Sequence, residues 1–389
     1  MKKIFLNALS FSWVFACLIL MTTGCQKSIQ KETISSIPDD NNIASNARHS
    51  KELKDFVQVN LVGDNDEYHP VTIDPNLVNG WGIAFAPSGP AWVNAEVKGV
   101  SLIYNKDGAI LRPPVTIPSP GSPTMGGQPT GIVFNGSADF KLPNGNPARF
   151  IFVGTDGILS GWNGGNSAIK MKDNSSSAVY TGLALAADGA ANFLYAANFG
   201  SRKIDVFDKD WNPVMTKPFM DHHLPWGYSP FNIQNIDGNL YVMYAKVGAD
   251  GDEEKGPGKG IVDIYNAHGI LLDRFVSHEQ LNAPWGVAKA PAGFLDEENG
   301  EEEENNKSGK KDEDNVILVG NFGDGRINAF NDHGHFLGQL RGHGKPIKID
   351  GLWAISFAPA TATTVDPTWL FFAAGPDDEE HGLFGYLKK

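Results

Sequence analysis

The chain has 389 residues, a formal net charge of −13 and only two cysteines. That length supports one large repeat domain rather than a small stapled scaffold. The acidic balance removes nucleic acid from the expected partners, because phosphate contacts depend on Lys and Arg.

The first residues read as a targeting segment. Met1-Lys2-Lys3 is basic, Ile4 to Met21 is almost wholly apolar, and Thr22-Thr23-Gly24-Cys25 supplies small residues ending in a cysteine. This pattern is a secretory signal rather than a membrane span. It resembles a bacterial lipoprotein signal over 1–24, with cleavage before Cys25 and lipidation of that residue; ordinary cleavage without a lipid is the alternative. Cys17 leaves with the signal, so no disulfide is expected. Residues 25–54 are polar and read as a flexible tether. Together these segments predict a bacterial cell-envelope protein, tied to the outer membrane or periplasmic, with the membrane as a partner through Cys25 and secretion as the alternative.

The domain follows at 55–389. Asn198-Phe199-Gly200-Ser201-Arg202-Lys203-Ile204 returns as Asn321-Phe322-Gly323-Asp324-Gly325-Arg326-Ile327, each between an apolar run and an alternating run. Six segments repeat this organisation. Their inner strands start around Gly82, Gly131, Gly182, Asn232, Gly286 and Ala354, at separations of 49, 51, 50, 54 and 68 residues. A period near 50 built from short strands predicts an all-β, six-bladed β-propeller. Each segment offers four strands. The last lacks its fourth, and the unattached run Phe56 to Val62 is placed to supply it and close the ring. Residues 296–314 carry ten acids against three lysines; this acidic insert in the fifth segment is expected to be disordered.

Strand alternation sorts the unusual residues onto one face, the top, where inner strands begin and the connections between second and third strands lie. Trp81, Trp285 and Trp353 start inner strands, and Trp226 lies in a connection to the same face. They can stack on a sugar or apolar ligand, or pack blade against blade. Asn198, Asn321 and Asp156 lie near second-strand ends, where they can ligate Ca²⁺ or cap hairpin turns. His222, His223, Asp377 and His381 occupy top connections, as a metal or acid–base group or as a polar rim. The loop Gly251 to Gly258 reads as solvated. No phosphate-loop, dinucleotide, Gly-x-Ser-x-Gly or His-Glu-x-x-His motif is present in the sequence.

Asn79-Gly80-Trp81-Gly82, the two Asn-Phe-Gly copies, Gly351-Leu352-Trp353 and Ala373-Ala374-Gly375-Pro376 through His381-Gly382-Leu383-Phe384-Gly385 resemble a family of uncharacterised bacterial secreted propellers similar to NHL-repeat propellers. The likeness spans about 56 to 387. It brings no assigned reaction, and it makes His381 the first choice among rim residues. The expected role is therefore a monomeric binding or scaffold module presenting its top face to a protein, glycan or small ligand. The alternative is a Ca²⁺-dependent, lactonase-like hydrolase, with Asn198, Asn321 and Asp156 as ligands and His381 as base.

Overall fold

The computed structural model describes residues 53–292, 294–295 and 315–389. The leader, Cys25, the tether as far as residue 52 and the acidic insert lie outside the described residues; Leu53, read as the tether's end, is buried in the core instead. The described residues are all-β and arranged in six blades.

Blade 1 comprises Gly80–Phe85, Ala91–Ala95, Val100–Tyr104 and Val115–Thr116, and blade 2 Pro129–Phe134, Phe150–Gly154, Ile158–Trp162 and Ile169–Asp173. Blade 3 contains Tyr180–Asp188, Ala191–Asn198 and Lys203–Phe207, and blade 4 contains Tyr228–Ile236, Asn239–Lys246, Gly260–Tyr265 and Leu271–Ser277. Blade 5 has Pro284–Lys289, Ile317–Asn321, Ile327–Phe330 and Phe336–Gln339. Blade 6 has Leu352–Phe357, Leu370–Ala374 and Leu383–Lys388, completed by the N-terminal strand Val57–Gly63. That strand pairs antiparallel with the last one, from Val57 opposite Lys388 to Gly63 opposite Leu383. The expected ring closure is therefore present, and both ends of the domain meet in one sheet.

Two fourth strands depart from the four-strand pattern, and proline explains both. Blade 3 stops at three strands, with a single bridge from Phe207 to Pro213. Pro213 and Pro218 cannot donate to a ladder, so the segment leaves the sheet. In blade 1, Pro113-Pro114 confines the fourth strand to the pair Val115–Thr116.

The regular glycine at inner-strand starts has a packing cause. A Cβ on Gly82 would stand 2.3 Å from Thr130 O in blade 2, and one on Gly182 would stand 2.0 Å from Asn232 Oδ1 in blade 4. Inner strands crowd around the axis, and only a residue without a side chain permits that approach. Blade 4 carries Asn232 there instead, and its Nδ2 donates to Trp285 O of blade 5 at 2.8 Å.

Aromatic rings fill the axis. Trp353 lies between Trp81 and Phe322, with centroid separations of 3.7 and 3.8 Å. Trp285 meets Trp353 edge-on at 6.0 Å. Its Nε1 donates to Thr181 O at 3.0 Å, tying blade 5 to blade 3. Such ring pairs add about 0.5–1.5 kcal/mol each beyond area burial. The Phe of each Asn-Phe-Gly phrase belongs to this core: Phe322 stacks on Trp353, and Phe199 lies 5.3 Å from Phe231.

Candidate functional site at the mouth of the channel

The top of the axis is organised by Asn79, the residue just before the first inner strand. It has φ of 52°, a left-handed conformation that Asn tolerates better than most residues. Its Oδ1 accepts from Trp353 Nε1 at 2.9 Å. Its Nδ2 donates to Glu379 Oε2 at 2.7 Å and reaches Glu96 Oε2 at 3.4 Å. The backbone is engaged too: Asn79 N donates to His381 O at 3.0 Å, and Glu96 N donates to Asn79 O at 3.1 Å. One buried amide thus joins the aromatic stack to two carboxylates, using its acceptor and both donor hydrogens.

Glu379 reaches this position through a strained turn. Asp377, Asp378 and Glu379 have φ of 55°, 50° and 71° in succession. Each left-handed residue costs roughly 1–2 kcal/mol, so the surroundings must impose the shape. Glu379 N donates to Gly375 O, and His381 N donates to Pro376 O, both at 3.2 Å. A Cβ on Gly375 would stand 2.2 Å from Asn79 Oδ1, so the turn and the amide fit together only with glycine there.

Above the stack lies a cavity of 420 Å³ lined by residues from several blades. Its walls carry Trp81, Phe199, Phe231 and Trp353 beside Glu96, Glu253 and Glu379, with Asp250, Asp252 and Lys255 also lining it. Two polar atoms of lining residues are buried without a hydrogen-bond partner: Trp81 Nε1 and Thr181 Oγ1. Buried polar groups are normally paired, so each such atom calls for an explanation.

The three glutamates hold their protons more tightly than a free side chain. Burial pushes Glu253 up to about 7 from an ordinary 4.5, with the nearby Glu379 charge adding to it. Burial also raises Glu96, against the Asn79 and Thr155 hydrogen bonds. It raises Glu379 as well, opposed by Asn79 and reinforced by Glu96. Lys255 is the one cationic residue among the described lining residues; its Nζ stands 4.6 Å over the Phe322 ring and 3.8 Å from Asp378 Oδ1.

The Glu253 shift has a consequence for stability. The folded chain binds this proton more tightly than the unfolded chain, so stability falls as pH rises from about 4.5 to about 7 and is level above that. After discounting for partial solvent contact, the loss is roughly 2 kcal/mol. Glu253→Gln removes this contribution. Between pH 5 and 8 its melting temperature is expected to fall less steeply than that of the wild type; parallel curves would contradict the assignment.

The residues singled out in the sequence separate into several places. Trp81 and Trp353 meet on the cavity wall. Trp285 is packed beneath them with its N–H satisfied. Trp226 is 91% exposed on the outer rim, with the Arg202 guanidinium 5.7 Å over its ring. His222 and His223 are exposed in a turn, where His223 N donates to Asp221 Oδ1. Asp377 is exposed, and its N donates to Asp350 Oδ2 at 3.0 Å. His381 points to the closing strand: its Nδ1 is 2.9 Å from Asp64 Oδ2, a bond that raises its pKa.

Asn198, Asn321 and Asp156 serve their turns. Asn198 Oδ1 accepts from Ser201 N at 3.1 Å and its Nδ2 donates to Asp205 Oδ2 at 2.8 Å. Asn321 Oδ1 accepts from Asn282 N at 3.1 Å and its Nδ2 donates to Gln280 O at 2.8 Å. Asp156 Oδ1 accepts from Ile158 N at 3.2 Å. Among the described residues, no group of three or more His, Cys, Asp or Glu is arranged to hold a metal ion.

Sequence reasoning missed Asn79, Glu96 and Glu253, and passed over Glu379 in favour of its neighbour His381. Glu253 lies in the Gly251 to Gly258 loop that reads as solvated, yet it faces the channel. One signal was available, an acid just past the second strand in blades 1 and 2. It is weak: by the pairing of Ala95 with Gly80 and of Gly154 with Pro129, the residue matching Glu96 in blade 2 is Thr155, and Asp156 lies one place further on.

A six-bladed propeller with an acidic, aromatic-floored channel mouth is the class these features define. The chain is 31% identical over 352 residues to the uncharacterised protein L690 of Acanthamoeba polyphaga mimivirus, covering 85% of this chain and 86% of that one. It is 30% identical over 348 residues to the mimivirus protein R648, covering 85% and 80% respectively. The chain belongs to the family of these proteins. No family model matches it. These relatives overturn the placement in a bacterial cell envelope expected from the first 25 residues, because the matched curated proteins are viral. Among solved structures, a streptogramin B lyase aligns with 86% of this chain and 97% of its own, at 10% identity and a TM-score of 0.47. A catalytically inactive virginiamycin B lyase from Staphylococcus aureus with quinupristin aligns with 86% and 99%, at 11% identity and a TM-score of 0.48.

Proposed function

We propose that the protein is a binding propeller whose small ligand sits in the top mouth of the central channel. One observation carries this reading: Trp81 Nε1 and Thr181 Oγ1 are buried without partners among the residues that also present Glu96, Glu253 and Glu379. Leaving a buried donor unpaired costs about 1–3 kcal/mol. A ligand that displaces the groups covering these two atoms, accepts from them and donates to the carboxylates would recover that cost. The concave shape and aromatic floor suit a small molecule better than a flat protein surface.

The test is a melting-temperature screen of small polar compounds against the wild type and Trp81→Phe, which keeps a ring in the stack and removes the N–H. A ligand bound only to the folded chain raises the melting temperature by mass action. Stabilising compounds are expected to lose about ten-fold in affinity in Trp81→Phe, the worth of one buried hydrogen bond. Stabilisation that is the same in both proteins would place the ligand elsewhere and end this reading.

A further inference from the structure

We propose that the channel mouth takes a small organic cation that also carries a hydroxyl or carbonyl oxygen, and that the Lys255 ammonium is the resident cation this ligand displaces. The inference rests on the reading of the mouth as a ligand site and specifies the chemistry of its occupant.

Three observations converge on it. The first is charge: Glu96, Glu253 and Glu379 face the cavity with Asp250 and Asp252 at its edge, and Lys255 is the single positive group among the described lining residues. Carboxylates withdrawn from water seek a counter-charge, and one lysine does not neutralise this group. The second is the aromatic floor. Lys255 Nζ already lies 4.6 Å over the Phe322 ring, which is stacked on the cavity-lining Trp353, so a ring beside the mouth already holds an ammonium. Aromatic faces attract desolvated organic cations, and quaternary ammonium groups are a common functional case. The third is independent of charge. Trp81 Nε1 and Thr181 Oγ1 are unpartnered, and the indole can only donate. A bare alkylammonium would leave it unsatisfied, so the occupant brings an acceptor oxygen as well. A neutral sugar would supply that oxygen but would leave the acids uncompensated.

Lys255 is placed to yield. It lies in a surface loop beside Gly256 and Gly258, whose φ values are 153° and 77°. Its ion pair with Asp378 is a loose 3.8 Å contact to an exposed carboxylate. Pairs of that kind hold little energy.

Calorimetric titration of the full chain with choline chloride tests the proposal, with tetramethylammonium and glucose as comparators. Choline is expected to bind in the millimolar range or tighter, and tetramethylammonium, which lacks the oxygen, more weakly. Glu253→Gln is expected to weaken choline about ten-fold through loss of one charge near the cation. Lys255→Gln, a change in an exposed loop that leaves the core untouched, is expected to tighten it several-fold by removing the competitor. Trp81→Phe is expected to bring choline down to the tetramethylammonium level.

Absence of choline binding overturns the proposal, as does binding that Glu253→Gln and Lys255→Gln leave unchanged. If glucose binds in a manner lost in Trp81→Phe while choline does not bind, the mouth remains a ligand site and the cationic assignment alone fails. If neither compound binds, the cationic assignment fails here and the small-molecule reading stands or falls on the wider screen.

Discussion

A chain that begins at Asp64, and so lacks Val57–Gly63, is expected to lose cooperative unfolding and to aggregate at micromolar concentration. The strand is the fourth of blade 6, pairing along its length with Leu383–Lys388 and, at Val62 and Gly63, with Thr72–Ile73 on its other side. It buries Leu61 and Val62, and the adjoining Phe56 is buried as well. Without it, the backbone of Leu383–Lys388 becomes an open edge, and the ring is closed by side-chain contacts alone. Losing this ladder and three large apolar groups is expected to cost more than about 5 kcal/mol, a large share of the stability of any domain. Urea unfolding followed by intrinsic fluorescence is the measurement. A sharp transition at the wild-type midpoint would show that the propeller does not depend on this closure.

The second large effect is expected from Arg274→Met. Arg274 stands opposite Asp263 in blade 4, and its Nε donates to Asp263 Oδ1 at 2.7 Å. Its other end pairs with Asp221, which lies in the connection between blades 3 and 4. Both carboxylate side chains are buried, at 0% and 1% exposure. Removing the guanidinium strands two buried carboxylates, and breaking a buried pair in this way costs about 3–5 kcal/mol. The urea midpoint of Arg274→Met should fall accordingly. Adding Asp221→Asn and Asp263→Asn to that variant should recover most of the loss, because neutral amides carry no uncompensated charge. A triple variant no more stable than the single one would mean that packing of the arginine stem, rather than charge, holds this corner.

Much of the fold was legible because it is written in backbone chemistry. Gly82, Gly131, Gly182 and Gly286 recur because neighbouring inner strands come too close for a Cβ, a constraint that leaves glycine in four of the six copies, with Asn232 and Ala354 in the other two. The closing strand was legible because Phe56 to Val62 had no partner and the last segment had a vacancy. Blade 3 was harder: Pro213 and Pro218 are local exceptions within a pattern that otherwise demands a strand.

The channel mouth was only half legible. Large aromatics at strand starts advertise themselves, and Trp81 and Trp353 do meet there. The acids do not advertise themselves, since Glu253 sits among Asp252, Glu254 and Lys255 in a segment with the composition of an exposed loop. What turns it inward is the arrangement of six blades around an axis, which no stretch of twenty residues encodes. Asn79 was hidden differently. Its amide acts on Trp353 and Glu379, nearly three hundred positions away, so its role appears only when the two ends of the chain are side by side.

That position of Asn79 carries a consequence for synthesis and turnover. The amide that seats the glutamates belongs to the first blade, and the residues it seats come partly from the last. A nascent chain therefore cannot assemble this mouth until its final blade has left the ribosome. A chain that has lost its first or last blade loses the mouth while keeping most of its blades. Were the proposed ligand to sit there, its occupancy would report that a given copy carries both its first and its last blade.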